Sequence, residues 1–547
     1  MIGNERVFAP IAKEQKTAGA YYTKDAVADF LSKWALQGGA QSVLDPCFGG
    51  GVFLERLLAA RSSSSVEVHG VELNSRSYDH VQQQLDGQAS LHKADFFVFA
   101  KRALQKFGAI VGNPPFIRYH RFSGTDRDRA LNAAARAGVA LSKLASSWAY
   151  FVVVAASLLR DGGRLAFVVP AELQYSTYSR AVLRYLHAHF AKVTVIYSEE
   201  RFFPDLAEDT LLLLCDGYGE DRKANFSVTR ISAISELATL DVSVAAQRVT
   251  SDTAIVQGLE RLSESLLAPA VRTLYRQLRA APTFARLRTL ADVGIGYVTG
   301  NNKFFHVSNS EAFDLGITHA YLQPTLYRGK AFAGVAFHVE DWLRACEIGD
   351  AGYLIDIPPG APLDMDMRRY IEHGERIGVP DAYKCQVRQC WYSVPHVYRP
   401  DAFLTSMSGA FPRMVLNEVN VVATNSVHIV RLHEQSAVTA RELCVRWLST
   451  ATQLSAEIEG HALGGGMLKL EPTEAENVLV PTGIVEWDEQ LLHRCDDDIR
   501  EGNLARATAR VDESYTASAG LSATDVKVLR QGLSDIRNRR AKQKCKI

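Results

Sequence analysis

Four consecutive residues, Asn113-Pro114-Pro115-Phe116, bring the apolar run Ile110-Val111 to an abrupt end. Two successive prolines stiffen such a loop, and Pro114, which has no N–H, leaves its carbonyl free as an acceptor. The amide oxygen of Asn113 and the carbonyl of Pro114 can together receive both hydrogens of an exocyclic amine. The ring of Phe116 can stack on the flat base that carries this amine. An amine of that kind is a poor nucleophile, because its lone pair is delocalised into the ring. Holding both N–H groups draws the nitrogen toward a tetrahedral geometry, from which it can attack a sulfonium methyl in line. Taken alone, the four residues could also be a turn that merely ends a strand.

Upstream, the apolar Ser42-Val-Leu runs into Asp45-Pro46-Cys-Phe-Gly49-Gly-Gly51-Val-Phe, a glycine-rich turn from strand to helix. Glycines let backbone approach a ligand closely, and open α/β sheets bind ligands at the carboxyl ends of their strands. The next strand ends in Gly70-Val-Glu72, where a carboxylate can accept from both hydroxyls of a ribose. Ala94-Asp95-Phe96-Phe places Asp95 at a further strand end, suited to accept from an adenine amino group. A surface glutamate and a structural turn are the bland readings of these pieces taken singly.

The elements that must position these residues follow from the hydrophobic pattern. From Ala18 to about Asp216, short apolar runs alternate with helical stretches, which predicts a parallel, doubly wound α/β sheet. Residues 1–235 are expected to form this domain and residues 236–283 a helical connector. Residues 284–485, with short β-like runs and many turns, should form a mixed α+β domain, and residues 486–547 a helical C-terminal tail. Several domains suit a chain of 547 residues. Apolar residues make up 47% and charged residues 22%, and no apolar run approaches the ~20 residues of a membrane span. Met1 to Lys16 lacks the apolar core of a signal peptide, so the cytoplasm is the expected location. The eight cysteines read as reduced thiols without the spacing of a zinc site, and no metal is expected. The zero formal net charge neither invites nor excludes nucleic acid.

The motif order Gly19-Ala-Tyr-Tyr-Thr-Lys, Asp45-Pro-x-x-Gly-x-Gly-x-Phe, Glu72, Asp95, Asn113-Pro-Pro-Phe and Gly162-Gly-Arg-Leu-Ala-Phe-Val-Val-Pro resembles the gamma class of amino-methyltransferases from bacterial restriction–modification systems. The resemblance runs to about residue 215. It implies a Rossmann-like domain that binds S-adenosylmethionine and methylates N6 of an adenine flipped out of double-stranded DNA. It further implies that Tyr22 and Thr23 close over the methionine part of the cofactor. Asp45 would contact the same moiety, with Pro46, Gly49, Gly51, Glu72, Asp95, Phe96 and Asn113 completing the site. Asn113, Pro114 and Phe116 would hold the target amine, and an aromatic in Arg201-Phe-Phe-Pro would clamp the base from its second face. Phe203 matches that position, with Phe202 the other candidate. Phe116 stands where tyrosine is frequent, and Cys47-Phe48 replaces the usual small residue and cysteine, so Cys47 reads as packing and not as a nucleophile.

More loosely, the second half resembles the target-recognition domains of such enzymes, through Gly296-Tyr-Val-Thr-Gly-Asn-Asn-Lys-Phe-Phe and Leu463-Gly-Gly-Gly-Met-Leu-Lys-Leu-Glu-Pro. Methylation of another planar amine, on an RNA base or a protein glutamine, is the nearest rival, but such chains generally lack a second domain of this size. An inactive specificity subunit would be expected to have lost a motif residue, and none is missing. No room for a fused nuclease precedes Ala18, so the expected partner is a separately encoded cognate restriction endonuclease. A role as an orphan regulator of DNA methylation stays open. A monomer in the bacterial cytoplasm, at the nucleoid, is expected.

Overall fold

The computed structural model describes residues 23–61, 66–119, 121–203, 209–219, 222–249, 251–463, 466–483, 487–516 and 518–542. The chain divides into two compact units, the first reaching to Leu267 and the second opening at Ala268.

The first unit is built on strands β1 (Ser42–Asp45), β2 (Glu67–Glu72), β3 (Ser90–Lys93), β4 (Phe107–Gly112), β5 (Leu159–Pro170), β6 (Lys192–Ser198), β7 (Thr210–Asp216), β8 (Asn225–Ile231) and β9 (Gln247–Arg248). They form one sheet in the order β3-β2-β1-β4-β5-β7-β6-β8-β9. Strands β1 to β5 are parallel, and β7 runs antiparallel to both its neighbours. The helices that concern the site are α1 (Asp25–Leu36), α2 (Val52–Ala60), α3 (Ser75–Leu85), α4 (Phe96–Arg102), α5 (Gly124–Arg136), α6 (Ser147–Ser157) and α7 (Ser179–His189).

Central strands are apolar on both sides because helices cover both faces. Val43, Ala109 and Val111 enter one core with Val27, Leu31, Phe53 and Leu54 of α1 and α2. Leu44 and Ile110, one residue out of step, enter the other with Trp148 and Val152 of α6. The whole of α6 from Ser147 to Ala156 is buried, as expected of a helix whose sequence is apolar on every side. From β1 the chain steps outward to β2 and β3, then returns to place β4 on the other flank of β1. A crevice opens beyond the carboxyl ends of strands at such a reversal, and Asp45 and Gly112 are the last residues of β1 and β4.

In the second unit a five-stranded sheet orders Ala291–Ile295, His428–Leu432, Ala402–Leu404, Met414–Asn417 and Ala336–Phe337. A four-stranded sheet orders His306–Val307, Ala351–Ile355, Leu322–Leu326 and Val422–Ala423. Helices Glu489–Arg500 and Leu504–Tyr515 bury Leu491, Leu492, Ile499, Val511 and Tyr515 in one core with Val293, Leu404 and Leu416. These two helices are therefore part of this body and not the tail that their charged sequence suggests. The expected connector over 236–283 also differs from what is observed. Val249, Ile255 and Leu262 are buried in the first unit's core, and helix Pro269–Ala280 belongs to the second unit, where the Tyr275 hydroxyl lies 2.9 Å from that of Ser455. Burial of its apolar residues divides the segment at Leu267. Among the described residues no helix is long and apolar enough to cross a membrane.

Candidate active site

Strand β1 delivers Asp45 to the mouth of the crevice with its side chain fully buried. One carboxylate oxygen accepts from the Cys47 N–H at 3.1 Å, whereas the other is buried with no partner among the described residues. Burial pushes this carboxyl up to about 8, against a lowering by the Cys47 N–H, and nearby Glu72 adds to the rise. Gly112, at the end of β4, leaves room for this carboxylate: a Cβ there would lie 3.0 Å from an Asp45 carboxylate oxygen and 3.3 Å from Pro46, a tight fit that would press on both.

The turn after buried Pro46 is tied down by its backbone. The Phe48 N–H donates to the Val71 carbonyl at 3.1 Å and the Gly51 N–H to the Phe48 carbonyl at 2.7 Å. Gly51 caps α2 at φ +83°, a left-handed conformation natural to glycine. Glu72, at the end of β2, accepts from the Gly49 N–H at 2.9 Å on one oxygen and from the Asn74 N–H at 2.6 Å on the other. Its carboxylate therefore shapes the glycine turn, and each oxygen keeps a lone pair for a further donor. Asp95 caps α4, with one oxygen accepting from Phe97 and Val98 N–H groups at 2.8 and 3.0 Å. Its second oxygen is not used in the cap. Phe96 is buried and stacks on Phe151 at 5.0 Å, so its ring belongs to the core and offers no open face to a ligand.

Beyond Gly112, the Asn113 amide nitrogen donates to the Thr23 hydroxyl at 3.3 Å, which turns the amide oxygen away from Thr23. The Cys47 thiol reaches the Asn113 backbone carbonyl at 3.5 Å. Burial, with Asp45 and Glu72 beside it, pushes this thiol well above its ordinary range, which does not suit a nucleophile. Pro114 is buried, and Phe116 is partly buried against both cores of the unit. Among the described residues nothing donates to the Asn113 amide oxygen or the Pro114 carbonyl. The loop thus ends in two acceptors with lone pairs to spare.

The Pro115 carbonyl and both backbone groups of Ile117 are engaged by one residue, Ser147, that motif reading passes over. The Ser147 hydroxyl, at the start of α6, donates to the Pro115 carbonyl and accepts from the Ile117 N–H at 2.8 Å. The Ser147 N–H donates to the Ile117 carbonyl at 3.0 Å. A serine pair before a long apolar helix was the sole trace of this in the sequence.

Phe202 and Phe203 are both buried, at 2% and 6% exposure, in the core against which Phe116 packs. Neither ring stands free, and Phe203 is the less enclosed. Arg201 pairs with Asp209 at 2.9 Å. Tyr22 lies outside the described residues, while Thr23 is buried. Among the described residues no cluster of three or more His, Cys, Asp or Glu could hold a metal ion.

Residues 5–208 match the family described as N-6 DNA Methylase, and residues 260–515 match the Type II methyltransferase M.Eco57I, C-terminal domain. The chain is 21% identical over 485 residues to the Type II methyltransferase M.AccI of Acinetobacter calcoaceticus, covering 87% of each chain. With the Type II methyltransferase M.XamI of Xanthomonas campestris pv. amaranthicola it shares 24% over 492 residues, again 87% of each. Among solved structures, the DrdV–DNA complex aligns over 89% of this chain and 57% of that one, with a TM-score of 0.52 and 10% identity, a likeness of fold. With its first part matching the N-6 DNA Methylase family, its second an M.Eco57I-type C-terminal domain, and two Type II methyltransferases similar along most of its length, the chain is an adenine-specific, S-adenosylmethionine-dependent DNA methyltransferase.

Proposed function

We propose that the first unit is a Rossmann-like methyltransferase domain in which Asn113 and Pro114 hold the N6 amine of an adenine turned out of double-stranded DNA. The observation that carries this reading is the pair of uncommitted acceptors on a loop anchored just beyond them, at Pro115 and Ile117, by Ser147. An amine with two N–H groups satisfies both acceptors at once, and few other ligands do. Phe116 gives one stacking face for the base. Phe203 is the better placed of the two neighbours to give the other, once the base displaces its present packing.

The cofactor side supports the same reading. An unpartnered, buried carboxylate oxygen such as that of Asp45 is costly to leave alone, and a ligand ammonium would satisfy it. Glu72 and Asp95 retain acceptor capacity toward ribose hydroxyls and an adenine amino group. The residues therefore fit S-adenosylmethionine, with Asp45, Pro46, Gly49, Gly51, Glu72, Asp95 and the Phe96 backbone as its holders. Bound there, it supplies an electrophilic methyl on a cationic sulfur. The chain's part is to hold the amine with its lone pair exposed, to stack the base and to exclude water from the crevice. Target recognition is assigned to the second unit, with a separately encoded restriction endonuclease as the activity guarded against, and the chain is proposed to act as a monomer on DNA in the cytoplasm.

Asn113→Ala tests the central assignment. Methyl transfer to genomic DNA from a methylation-free host should fall by roughly 10²–10³-fold, as when one preorganised polar group is removed elsewhere. S-adenosylmethionine affinity by calorimetry should stay within about threefold. Wild-type protein should yield N6-methyladenine in hydrolysed DNA. An Asn113→Ala protein with full activity would remove the amine clamp from the mechanism.

A further inference from the structure

Resting on that reading, we propose that Ser147 is a positioning residue for methyl transfer, holding the Asn113–Phe116 loop so that its two acceptors stay open toward the target amine. Ser147 is 1% exposed, and its polar atoms are spent on the loop. The hydroxyl bridges the Pro115 carbonyl and the Ile117 N–H, and the backbone N–H takes the Ile117 carbonyl. These three contacts fall just after Pro114, on Pro115 and Ile117. They fix the peptide planes on either side of Phe116, and so set both the direction of the Pro114 carbonyl and the tilt of the stacking ring.

Ser147 can impose this because its own place is fixed. It opens α6, which is buried throughout. The next residue, Trp148, is 0% exposed and donates its indole N–H to Glu172 at 3.1 Å. The Tyr178 hydroxyl donates to the same Glu172 oxygen. Glu172 follows directly on β5, the neighbour of β4 in the sheet. The loop after β4 is thereby bonded to a helix end that is itself bonded to the loop after β5. Two successive prolines stiffen the loop internally but cannot orient it against the sheet; a hydrogen-bonded anchor outside the loop can.

The test is a matched pair, Ser147→Thr and Ser147→Val, which carry the same added bulk and differ in the hydroxyl alone, alongside Ser147→Ala. Single-turnover transfer of tritiated methyl to genomic DNA is measured with full-length protein in excess, together with cofactor affinity and melting temperature. Ser147→Val and Ser147→Ala should transfer roughly 10- to 100-fold more slowly, the scale of a misplaced reacting group. Ser147→Thr should recover most of the rate, and cofactor affinity should stay within about twofold in all three. If Ser147→Val matches Ser147→Thr, or if cofactor affinity falls in step with the rate, the serine serves helix packing alone and the proposal is overturned. The tritium count reports transfer to whatever atom receives it, so this comparison decides even if nucleoside analysis shows a product other than N6-methyladenine.

Discussion

Asp45 in the first unit and Glu457 in the second are both fully buried carboxylates, and they are satisfied in opposite ways. Glu457 accepts from Arg537 at 3.2 Å and from Arg540 at 3.0 and 2.8 Å. Its neighbours in the second unit follow suit. Asp341 takes both Arg500 nitrogens at 2.9 and 2.7 Å; burial alone would raise its pKa, but these bonds outweigh it and hold the carboxyl below the usual range. Among the described residues Asp45 has no arginine partner, one N–H and an idle oxygen, and its carboxyl is pushed up to about 8. A buried acid with its cation inside the protein is architecture. A buried acid without one is a polar group that a bound cation can complete, at the expense of stability in the free protein.

The largest effect expected from this contrast is on stability. Glu457→Gln takes the carboxylate from buried Arg540 and partly buried Arg537, and breaking such a buried pair costs about 3–5 kcal/mol. For a body of this size that corresponds to a melting temperature lower by roughly 5–15 °C. Cofactor affinity measured well below the transition should be unchanged. A Glu457→Gln protein that melts with the wild type would mean that solvent already reaches those arginines, and the contrast would lose its second term.

Asp45→Asn should do the reverse. Losing the ionic partner of a ligand ammonium weakens S-adenosylmethionine by ~1–3 kcal/mol, roughly ten- to a hundredfold, without lowering the melting temperature of the free protein. The pH dependence has a definite sign. A carboxyl with its folded pKa raised from 3.8 to about 8 keeps its proton in the folded state over a range where the unfolded chain has released it. Its contribution to stability is present in full below pH 3.8 and is lost as pH rises through 8. Wild-type protein should therefore lose stability relative to Asp45→Asn as pH climbs from 5 to 8. Over pH 6 to 7.5, where a ligand ammonium remains charged, wild-type cofactor affinity should increase by up to tenfold per unit, and the variant's should stay flat. A flat wild-type profile would mean that Asp45 is ionised throughout, and that the difference between the two carboxylates is not one of charge.

The contrast also explains what could be read in advance. Strand-end motifs are local: Asp45, Glu72 and Asn113 each end or follow an apolar run, which fixes where the side chain emerges, and Asp95 directly precedes the apolar start of a helix. Partners brought in from afar leave no such mark. Thr23 meets Asn113 across 90 residues and Ser147 meets Ile117 across 30, contacts set by packing and not by spacing. The charged helices after residue 486 read as a tail because arginine–carboxylate pairs mask how much of their surface is covered. Phe202 and Phe203 could not be told apart because adjacent residues in an apolar turn carry no periodicity, and both are buried in the same core.

The smallest expected effect separates two roles for Thr23. Its motif resemblance puts it on the cofactor, whereas its hydroxyl accepts from the Asn113 amide nitrogen at 3.3 Å. Valine keeps the shape of threonine and removes the acceptor, so Thr23→Val frees the amide to turn over and present its nitrogen where its oxygen is needed. One neutral hydrogen bond is worth about 1 kcal/mol, which corresponds to roughly a fivefold loss in single-turnover transfer. If Thr23 works through Asn113, this loss comes with unchanged cofactor affinity, and it vanishes in the Asn113→Ala background, where there is no amide left to orient. If Thr23 works on the cofactor, affinity falls instead, and the loss persists in that background. The second outcome would move Thr23 from the target side of the crevice to the side of Asp45, leaving the Asn113 amide to be oriented by the bound base alone.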